Sequence, residues 1–419
     1  MRDNRISLPL DIPNVRVLET GIDEAGDFII TVESTLDETT CRKCGQTITA
    51  FYGHDKEITL RHLPILGRRV YIRLRPKRFQ CTDCDGDPTS TQQLDWYDRK
   101  SPHTHAYEKH VLLLLINSTI EDVSRKEDLG YDAIEGCLGR HIATQVDWAQ
   151  IKSMEVLGID EISLKKGRKH FVAIISARQA DGQVSILAVL PDRKKETVRQ
   201  FLESIPYKHR LSLKSICTDM WDGYVNAVNE FEAAHAEVSV NIVIDRFHVA
   251  RNYREGVDTL RKQEMRRLKK ELSVEQYDEI KGVMWACRKN NADLTDDERE
   301  KLQRLFAYTP ALKMAYQFRE ELTAIFEMPL TRDQALIRLQ RWQEKVQPSG
   351  LTCFNKFLTT LHNWMDEIAN YFLARLNSGF VEGLNNKIKT IKRRCYGIFD
   401  TSHLFQRIFL DLEGYQRFA

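Results

Sequence analysis

Residues 154–190, MEVLGIDEISLKKGRKHFVAIISARQADGQVSILAVL, contain the three apolar runs that decide the fold of the second half of the chain. These runs are MEVLGID, HFVAIIS and VSILAVL, and the turn-like segments GRKH and ADGQ lie between them. Short apolar runs bounded by glycine and charged residues are typical of buried strands. The stretch therefore predicts three consecutive β-strands.

The elements that follow predict a mixed sheet covered by helices. A helix at 196–205 precedes the strand SLKSICTD, and a helix at 221–234 precedes the strand VNIVID. The order β-β-β-α-β-α-β is typical of a sheet with helices packed against it. From residue 251 to 371 only charged amphipathic helices are predicted, so we expect an all-helical segment inserted into this α/β domain.

Four cysteines in the first hundred residues form two Cys-x-x-Cys pairs, CRKC and CTDC, at Cys41, Cys44, Cys81 and Cys84. Four thiolates at this spacing suit a tetrahedral zinc ion with Zn–S distances of about 2.3 Å. The alternative is four unrelated buried cysteines. We predict a zinc ribbon, with one structural Zn²⁺ because all four coordination positions are filled.

The segment 61–78, RHLPILGRRVYIRLRPKR, carries seven Arg and Lys residues and no acid. Val70, Ile72 and Leu74 alternate with Tyr71 and basic residues, which predicts a strand with an apolar face inward and a basic face outward. Phosphate contact is one interpretation of this basic face. A merely solvated face is the other.

Residues 121–142, EDVSRKEDLGYDAIEGCLGRHI, predict two helices joined by a turn at Gly130. Ile134, Leu138 and Ile142 share one side of the second helix. A helix-turn-helix with residues 131–140 as the recognition helix fits this pattern. Any helical hairpin would fit it equally well.

Asp160 and Asp219 each follow an apolar run, in LGIDE and ICTDMWDGY. We expect both carboxylates to project from strand ends of the same sheet. Two acids on adjacent strands repel each other unless a cation lies between them, and Mg²⁺ or Mn²⁺ prefers oxygen ligands. Either aspartate alone would be more typical of a turn. Trp221 is expected in the core.

The stretch 377–398, NSGFVEGLNNKIKTIKRRCYGI, predicts a helix over 379–393 that carries a third acid, Glu382. Its predicted core face consists of Val381, Leu384, Ile388 and Ile391. Its predicted polar stripe begins at Glu382 and continues through Asn385, Asn386, Lys389 and Arg393. Such a stripe suits a ligand that is both cation and polyanion.

These residues resemble the DDE transposases of the bacterial IS-L-three insertion-sequence family. The resemblance rests on Asp160, Asp219 and Glu382 in this order, on the block VIDRFHVARN at 243–252, and on SGFVEGLNNKIKTIKRRCYGI. It covers nearly the whole chain and implies an α+β multidomain protein. The implied parts are an N-terminal zinc ribbon, a helix-turn-helix, and an RNase H-like mixed α/β catalytic core with an all-helical insertion.

The resemblance also implies the chemistry of the site. Two Mg²⁺ or Mn²⁺ ions held by Asp160, Asp219 and Glu382 would promote DNA strand cleavage and transfer of the 3′-hydroxyl end into target DNA. One ion would activate the attacking water or hydroxyl, and the other would stabilise the leaving oxygen. Asp245 and His248 match an Asp-x-x-His element of related transposases and would support the site, although a plain packing role is the alternative.

Double-stranded DNA, both transposon ends and target, is the expected partner, and synapsis of two ends leads us to expect a homodimer or higher oligomer. The predicted DNA-contact residues are Arg69, Arg73, Arg75, Arg78, Arg140, Asn385, Asn386, Lys387, Lys389, Lys392, Arg393 and Arg394. In the helical insertion, Trp285 and Trp342 could stack on an unpaired base, but helix packing is the more ordinary expectation.

The 419 residues carry a formal net charge of +2 with 29% charged residues, which neither supports nor excludes nucleic-acid binding. No apolar run approaches a membrane span and the N-terminus lacks a signal-peptide core. Nine cysteines without an export signal suggest a reducing cytoplasm, where the protein would associate with the nucleoid. The predicted domains are 1–100 (zinc ribbon), 101–150 (helix-turn-helix), 151–250 (catalytic core), 251–372 (insertion) and 373–419 (end of the core with Glu382).

Two other functions compete with transposition. An RNase H-like nuclease would cut DNA without joining it. A zinc-ribbon DNA-binding regulator would use a non-catalytic RNase H-like module and would have no need for converging acids.

Overall fold

The computed structural model describes residues 9–165, 169–179, 182–375, 379–398 and 400–419. The chain divides into two compact units: Met1–Ile142 with Leu410–Ala419, and Ala143–Phe409. The last ten residues thus cluster with the first unit, although the sequence-based division places them in the catalytic core. The other predicted boundaries remain predictions.

The first unit begins with small sheets. The strands are β1 (Val15–Ile22), β2 (Phe28–Ser34), β3 (Thr39–Thr40), β4 (Thr47–Ile48), β5 (Ala50–His54), β6 (Ile58–Ile65), β7 (Arg68–Leu74), β8 (Lys77–Gln80) and β9 (Thr89–Thr91). They pair in the orders β1-β2-β7-β6, β3-β4 and β5-β8-β9. The predicted alternation in β7 is confirmed, since Val70, Ile72 and Leu74 are fully buried while Arg69 and Arg73 are exposed.

Helices α1 (His105–Leu115), α2 (Ile120–Glu127) and α3 (Tyr131–His141) follow these strands in the first unit. The side chains of Thr104 and Thr119 cap α1 and α2 by accepting from backbone N–H groups. Helix α2 ends at Asp128, whose positive φ of 53° reverses the chain, and Gly130 starts α3. The helical hairpin predicted at 121–142 is therefore present.

The second unit contains a sheet of order β12-β11-β10-β13-β14. Its strands are β10 (Val156–Lys165), β11 (Lys169–Arg178), β12 (Val184–Leu190), β13 (Ser215–Thr218) and β14 (Asn241–Ile244). β10, β11 and β12 pair antiparallel, whereas β10, β13 and β14 pair parallel. Helices α4 (Lys195–Glu203), α5 (Tyr207–Arg210) and α6 (Asp222–Ala234) intervene as predicted, with the single-turn α5 as the one addition.

Strand alternation divides the apolar side chains of this sheet between two cores. Leu157 and Ile216 pack with α4 and α6 on one face, in a core that contains Phe231. Cys217 and Val243 pack on the other face against the helical segment that follows β14. The sheet is thus covered on both faces, which holds its parallel strands in a dry environment.

The region after β14 is helical, as predicted. Its helices are α7 (Arg246–Glu271), α8 (Val274–Ile280), α9 (Met284–Arg288), α10 (Asp296–Tyr308), α11 (Pro310–Glu327), α12 (Arg332–Val346), α13 (Asn355–Ala369) and α14 (Tyr371–Ala374). Trp342 is buried in their common core, whereas Trp285 is exposed. Helices α15 (Gly379–Arg394) and α16 (Thr401–Phe418) end the chain. No helix in the described ranges is both long and apolar enough to cross a bilayer.

Candidate active site

Parallel pairing of β10 with β13 brings two of the predicted acids together. Ile159 pairs with Thr218, and the next residues along the two strands are Asp160 and Asp219. Asp219 directly follows the end of β13, as expected. Asp160 does not end its strand, because β10 continues to Lys165. The prediction of a strand end at Asp160 is wrong because polar and apolar residues alternate beyond it. Pairing with β11 continues the strand through these residues.

Both aspartates lie in surroundings that disfavour their charges. Burial, together with the neighbouring charge of Asp219, raises the pKa of Asp160 to about 7. Burial, together with the charges of Asp245 and Glu161, raises the pKa of Asp219 to about 7. Two acids that resist ionisation at neutral pH are a recurrent mark of a functional site. A bound cation would reverse this preference.

The start of α7 supplies the histidine of the site. His248 Nε2 lies 3.1 Å from Asp219 Oδ1. One ligand atom from each of Asp160, Asp219 and His248 lies within 4.8 Å of the others. Asp245 caps this helix by accepting a 2.7 Å hydrogen bond from the Phe247 backbone N–H, which fixes the first turn that carries His248. We call Asp160, Asp219 and His248 the acid cluster.

The acid cluster fits a hard divalent cation. Two carboxylates supply the oxygen ligands that Mg²⁺ and Mn²⁺ favour, and an imidazole nitrogen is an additional possible ligand. The raised pKa values agree with this fit, since an ion between the two carboxylates would remove the repulsion between them.

The third predicted acid cannot be placed against these two. The backbone of Glu382 belongs to α15, but its side chain and that of Val381 lie outside the described residues. The rest of the predicted core face is confirmed: Leu384, Ile388 and Ile391 are buried. Glu382 as a catalytic ligand therefore stays a prediction.

Asn385 departs from the predicted polar stripe. It is only 5% exposed, and its Oδ1 atom has no hydrogen-bond partner within the described part of the chain. Asn385 lies one residue from Leu384 and three from Ile388. The buried face of α15 is therefore slightly wider than the sequence suggests, and Asn385 belongs to it. Its prediction as a DNA contact is not supported by this position. Asn386, by contrast, is exposed.

Basic residues of α15 line a groove beside the acid cluster. The groove has a volume of about 870 Å³ and lies between the second half of β10 and Lys389, Lys392 and Arg393. Lys392 Nζ donates a hydrogen bond to the Ser163 carbonyl, and burial lowers its pKa. The charge of Lys389 acts to lower the pKa of Asp219, which places this lysine close to the site. Lys387 and Arg394 are partly buried on the same helix.

The basic residues of the first unit differ in how freely they could meet a phosphate. Arg73 is exposed, whereas Arg69 pairs with Asp128 at 2.9 Å and Arg75 with Glu57 at 3.4 Å. Arg78 donates to Thr89 Oγ1 and lies over the Tyr52 ring. Surface pairs of this kind are weak and open readily to a stronger anion.

Arg140 has a structural task within the first unit. Its guanidinium bonds to the carboxylate of Glu108, which is fully buried and also accepts from His141 and Ser101. Although burial opposes ionisation, these hydrogen bonds lower the pKa of Glu108 to about 2. Removing Arg140 would leave a buried charge under-compensated. Its role as a DNA contact stays a prediction.

Sequence reasoning missed a group that flanks the acid cluster. Arg193 Nη1 lies 2.6 Å from Glu161 Oε2, and its guanidinium stacks between the rings of Phe171 and Trp221 at 4.5 and 4.4 Å. Trp221 is 41% exposed, so the expectation that it belongs to the core is wrong. The neighbours of Arg193 lie in three separate segments of the chain, so no local sequence pattern predicts these contacts.

The four predicted zinc ligands converge in the first unit. The sulfur atoms of the four cysteines, Cys41, Cys44, Cys81 and Cys84, all lie within 4.8 Å of one another. The Cys44 and Cys81 sulfurs are 3.8 Å apart. A tetrahedron with Zn–S bonds of about 2.3 Å has sulfurs about 3.8 Å apart, so the spacing fits zinc. Donation from the Cys44 and Lys43 backbone N–H groups lowers the pKa of Cys41 to about 6. The surrounding sulfurs, Cys44 first, raise that of Cys84 to about 12.

Comparison with known proteins identifies this combination of parts. The family model of the ISL3 DDE transposases, described as "Transposase", matches residues 157–408. The chain belongs to the ISL3 family of DDE transposases. A second model, the zinc-finger of transposase IS204/IS1001/IS1096/IS1165, matches residues 37–84 and contains the four cysteines. The resemblance drawn from the sequence is thereby confirmed.

Two curated relatives align over most of the chain. The transposase for insertion sequence element IS1001 of Bordetella parapertussis is 28% identical over 377 residues, which is 88% of this chain and 87% of that protein. The transposase for insertion sequence element IS1557 of Mycobacterium tuberculosis is 20% identical over 398 residues, 90% of this chain and 86% of that protein. The protein is thus an insertion-sequence transposase with a zinc ribbon.

Proposed function

We propose that this protein binds the terminal inverted repeats of an insertion sequence, cleaves DNA there and joins the freed 3′-hydroxyl end to target DNA. The observation that carries the proposal is the convergence of Asp160 and Asp219 in a buried cluster with raised pKa values. A DNA-binding regulator has no use for two buried acids that repel each other. A metal-dependent phosphoryl-transfer enzyme needs such a pair.

The residues fit a divalent cation, and Asp160, Asp219 and Glu382 would hold it, with His248 beside Asp219. When bound, Mg²⁺ or Mn²⁺ would supply Lewis-acid activation of the attacking oxygen and charge stabilisation at the scissile phosphate. His248 contributes by orienting the Asp219 carboxylate through the 3.1 Å contact. Asp245 contributes by fixing the first turn of α7.

The chain's own cations would hold the DNA backbone next to this cluster. Lys389 and Arg393 are exposed along the groove between α15 and β10, and both can donate to phosphate oxygens. Lys392 donates to the Ser163 carbonyl, so it would stiffen the groove wall more than it would grip phosphate. Asn386 extends the exposed basic face of α15 with a polar side chain.

We further propose that the sheet of the second unit is an RNase H-like core and that α2 and α3 form a DNA-reading helix-turn-helix. The strand order with its antiparallel β11 supports the RNase H-like core. The two helices joined at Gly130 support the helix-turn-helix. DNA end recognition would then belong to the first unit and chemistry to the second. Pairing of two DNA ends would require at least a dimer.

Conservative substitutions of the acids test the proposal. Asp160→Asn and Asp219→Asn keep the side-chain size but remove the charge, so Mg²⁺-dependent cleavage of a duplex that carries the element end should fall to background. Asp297→Asn, on the exposed first turn of α10, is the matched control and should cleave like the unchanged protein. Cleavage that persists in both Asp160→Asn and Asp219→Asn would refute the assignment.

A pre-cut substrate separates transposition from simple cleavage. Given a duplex with a free 3′-hydroxyl at the element end and a supercoiled plasmid target, a transposase should form joined products in the presence of Mg²⁺. A nuclease would cut the intact substrate but yield no joined product from the pre-cut one. That result would retain the metal site and reject strand transfer.

A further inference from the structure

An exposed aromatic ring, that of Tyr396, borders the groove between α15 and β10. The cations among the residues that line this groove are Lys165, Lys389, Lys392 and Arg393. Glu161 lines it as well, and its carboxylate is paired with Arg193 at 2.6 Å. The groove therefore offers a ligand both positive charge and the face of a ring.

The side chain of Tyr396 makes almost no contact with its own chain. It is 93% exposed, the highest value among the large hydrophobic and aromatic side chains that the structure describes. The next highest value is the 80% exposure of Leu66. A ring left in water does not gain the free energy that aromatic side chains obtain by burial. A partner molecule that covered the ring would supply it.

The backbone of Tyr396 is unusual for a tyrosine. Its φ of 54° lies in the left-handed region. The chain uses Asn117 and Asp128 for the corresponding positions after α1 and α2, and these residue types tolerate that conformation. Other side chains are disfavoured there because Cβ lies too close to the following carbonyl oxygen. Neither local backbone preference nor packing within the chain accounts for a tyrosine here, and a contact with a ligand would.

Hydrogen bonds hold this turn in place at the end of α15. The Tyr396 N–H donates to the Arg393 carbonyl at 3.1 Å, and the Gly397 N–H donates to the Lys392 carbonyl at 3.0 Å. Gly397 has a φ of 104°, which favours glycine. Lys392 is bound to β10 through its hydrogen bond to the Ser163 carbonyl. The ring of Tyr396 is thus carried by an ordered turn, which lowers the entropy cost of binding a ligand.

We propose that the groove holds target DNA and that the Tyr396 ring inserts between two of its base pairs. This rests on the proposed function, because it takes the acid cluster as the centre of strand transfer. Lys389 and Arg393 would bind phosphates of the target duplex. A side chain inserted between base pairs unstacks them and bends the duplex. The bend would let a duplex held in the groove present a phosphodiester to the acid cluster.

The chemistry of the groove favours target DNA over the element end. Its cations suit phosphates, and a tyrosine ring stacks on any base, so both kinds of contact accept any sequence. The terminal repeats of one element have a fixed sequence, whereas the sequence of target DNA differs from one insertion to the next. Asn386, an exposed amide of α15 that could read a base edge, is not among the lining residues of the groove.

A mismatched duplex tests the insertion of Tyr396 in the full-length protein. Two labelled duplexes without element-end sequence are compared by fluorescence anisotropy in Mg²⁺-free buffer, one fully paired and one with a central T·T mismatch. A mismatched step costs less to unstack, so the unchanged protein should bind the mismatched duplex about tenfold more tightly. Phosphate contacts are common to both duplexes and cancel in the ratio.

Three variants locate the effect. Tyr396→Ala retains the Cβ atom but removes the ring, and it should abolish the preference for the mismatch. Tyr396→Phe retains the ring and should retain the preference. Tyr207→Ala removes an exposed tyrosine of α5 that does not line the groove, and it should bind both duplexes like the unchanged protein. Tyr396 and Tyr207 are both exposed, so truncation at either position should leave the fold intact.

Strand transfer distinguishes target DNA from the element end. With a pre-cut element end and a plasmid target, Tyr396→Ala should reduce joining about tenfold more than it reduces cleavage of the intact element end. The reason is that only joining requires target DNA. If the ring instead inserted into the element end, cleavage and joining would fall by the same factor.

The outcomes separate this proposal from the proposed function. The insertion of Tyr396 is overturned if the unchanged protein shows no preference for the mismatch, or if the preference survives Tyr396→Ala. An equal loss of cleavage and joining overturns the assignment to target DNA. A preference that depends on Tyr396 in a protein that joins no DNA would instead refute the proposed strand transfer and leave the stacking site in place.

Discussion

The cysteine cluster and the acid cluster both bring metal-ligating atoms within 4.8 Å of one another, but the chain assembles them in different ways. The two cysteines of each pair are three residues apart in the sequence, and the two short turns that carry the pairs lie against each other. The acid cluster joins the middle of one strand, the end of another and the first turn of a helix. The cysteine cluster therefore depends on local turns, and the acid cluster depends on the register of a whole sheet.

The two clusters also differ in what metal binding would contribute. Four cysteines leave no open position, so zinc would stabilise the ribbon without entering chemistry. The acid cluster is formed within a sheet that has its own apolar cores on both faces. We expect its aspartates to lower the stability of the metal-free fold, because the pKa of each is raised to about 7.

Loss of a cysteine should produce the largest effect. Cys81→Ser removes a fully buried ligand, and we expect the ribbon to lose zinc and unfold, since structural zinc contributes about 10–16 kcal/mol to such small modules. Zinc content measured by atomic emission and protease sensitivity of residues 37–84 report this loss. Cys395→Ser, in the second unit, should retain both the zinc and the resistance. A protease-resistant, zinc-free Cys81→Ser ribbon would contradict the structural role.

Loss of an acid should abolish activity while sparing the fold. We expect Asp219→Asn to lower Mg²⁺-dependent DNA cleavage by at least about 10³-fold, because the substitution removes a charged ligand of the reaction centre. The circular dichroism spectrum and zinc content should match those of the unchanged protein. The comparison between the clusters would fail if Asp219→Asn unfolded the second unit.

The acid cluster also predicts a pH dependence of stability. Because the pKa values of Asp160 and Asp219 rise to about 7 in the folded state, the fold binds more protons than the unfolded chain between pH 4 and pH 7. The free energy of unfolding should therefore fall as pH rises through this window. In Mg²⁺-free buffer at pH 8, Asp219→Asn should be more stable than the unchanged protein by about 4 kcal/mol, because the pKa of Asp219 rises from 3.8 to about 7.

The difference between the two proteins isolates the acid pair, because all other titrating groups are common to both. Chemical denaturation at pH 4 and pH 8 measures it. At pH 4 the two proteins should differ little, and Mg²⁺ should restore the stability of the unchanged protein at pH 8. A constant difference at both pH values would show that the pKa of Asp219 is not raised in the fold.

Removal of His248 should have the smallest of these effects. If the imidazole orients Asp219 through their 3.1 Å contact, His248→Ala should reduce cleavage about 10–100-fold, as for other groups that hold a metal ligand. His248→Asn should recover part of the activity, because its amide can still donate to Asp219. Loss as complete as in Asp219→Asn would make His248 a metal ligand, and an unchanged rate would make it a packing residue.

Prediction from sequence succeeded where the pattern is short. The cysteine pairs, the alternation of Val70, Ile72 and Leu74, and the apolar face at Leu384, Ile388 and Ile391 were all predictable, because each depends on spacing within a few residues. The order of strands and helices in the second unit was predictable for the same reason. The family could be recognised because its acids and the basic stretch after Glu382 retain their order along the chain.

Prediction failed where a residue's environment comes from distant segments. Asp160 was expected at a strand end, yet pairing with β11 extends the strand beyond it. Asn385 was expected on the polar stripe of α15, yet the buried face of this helix includes it. Trp221 was expected in the core, yet it stacks on Arg193 at the surface. No local rule encodes these neighbours.

By itself, the amino-acid sequence determined which residues can ligate metal, which faces are apolar and which strands and helices form, because those properties belong to side chains and to backbone periodicity. Only the tertiary structure decided that Asp160 meets Asp219 and His248. The physical reason is that strand register and helix packing set distances between residues far apart in the chain. Those distances minimise the free energy of the whole fold, and no single segment specifies them.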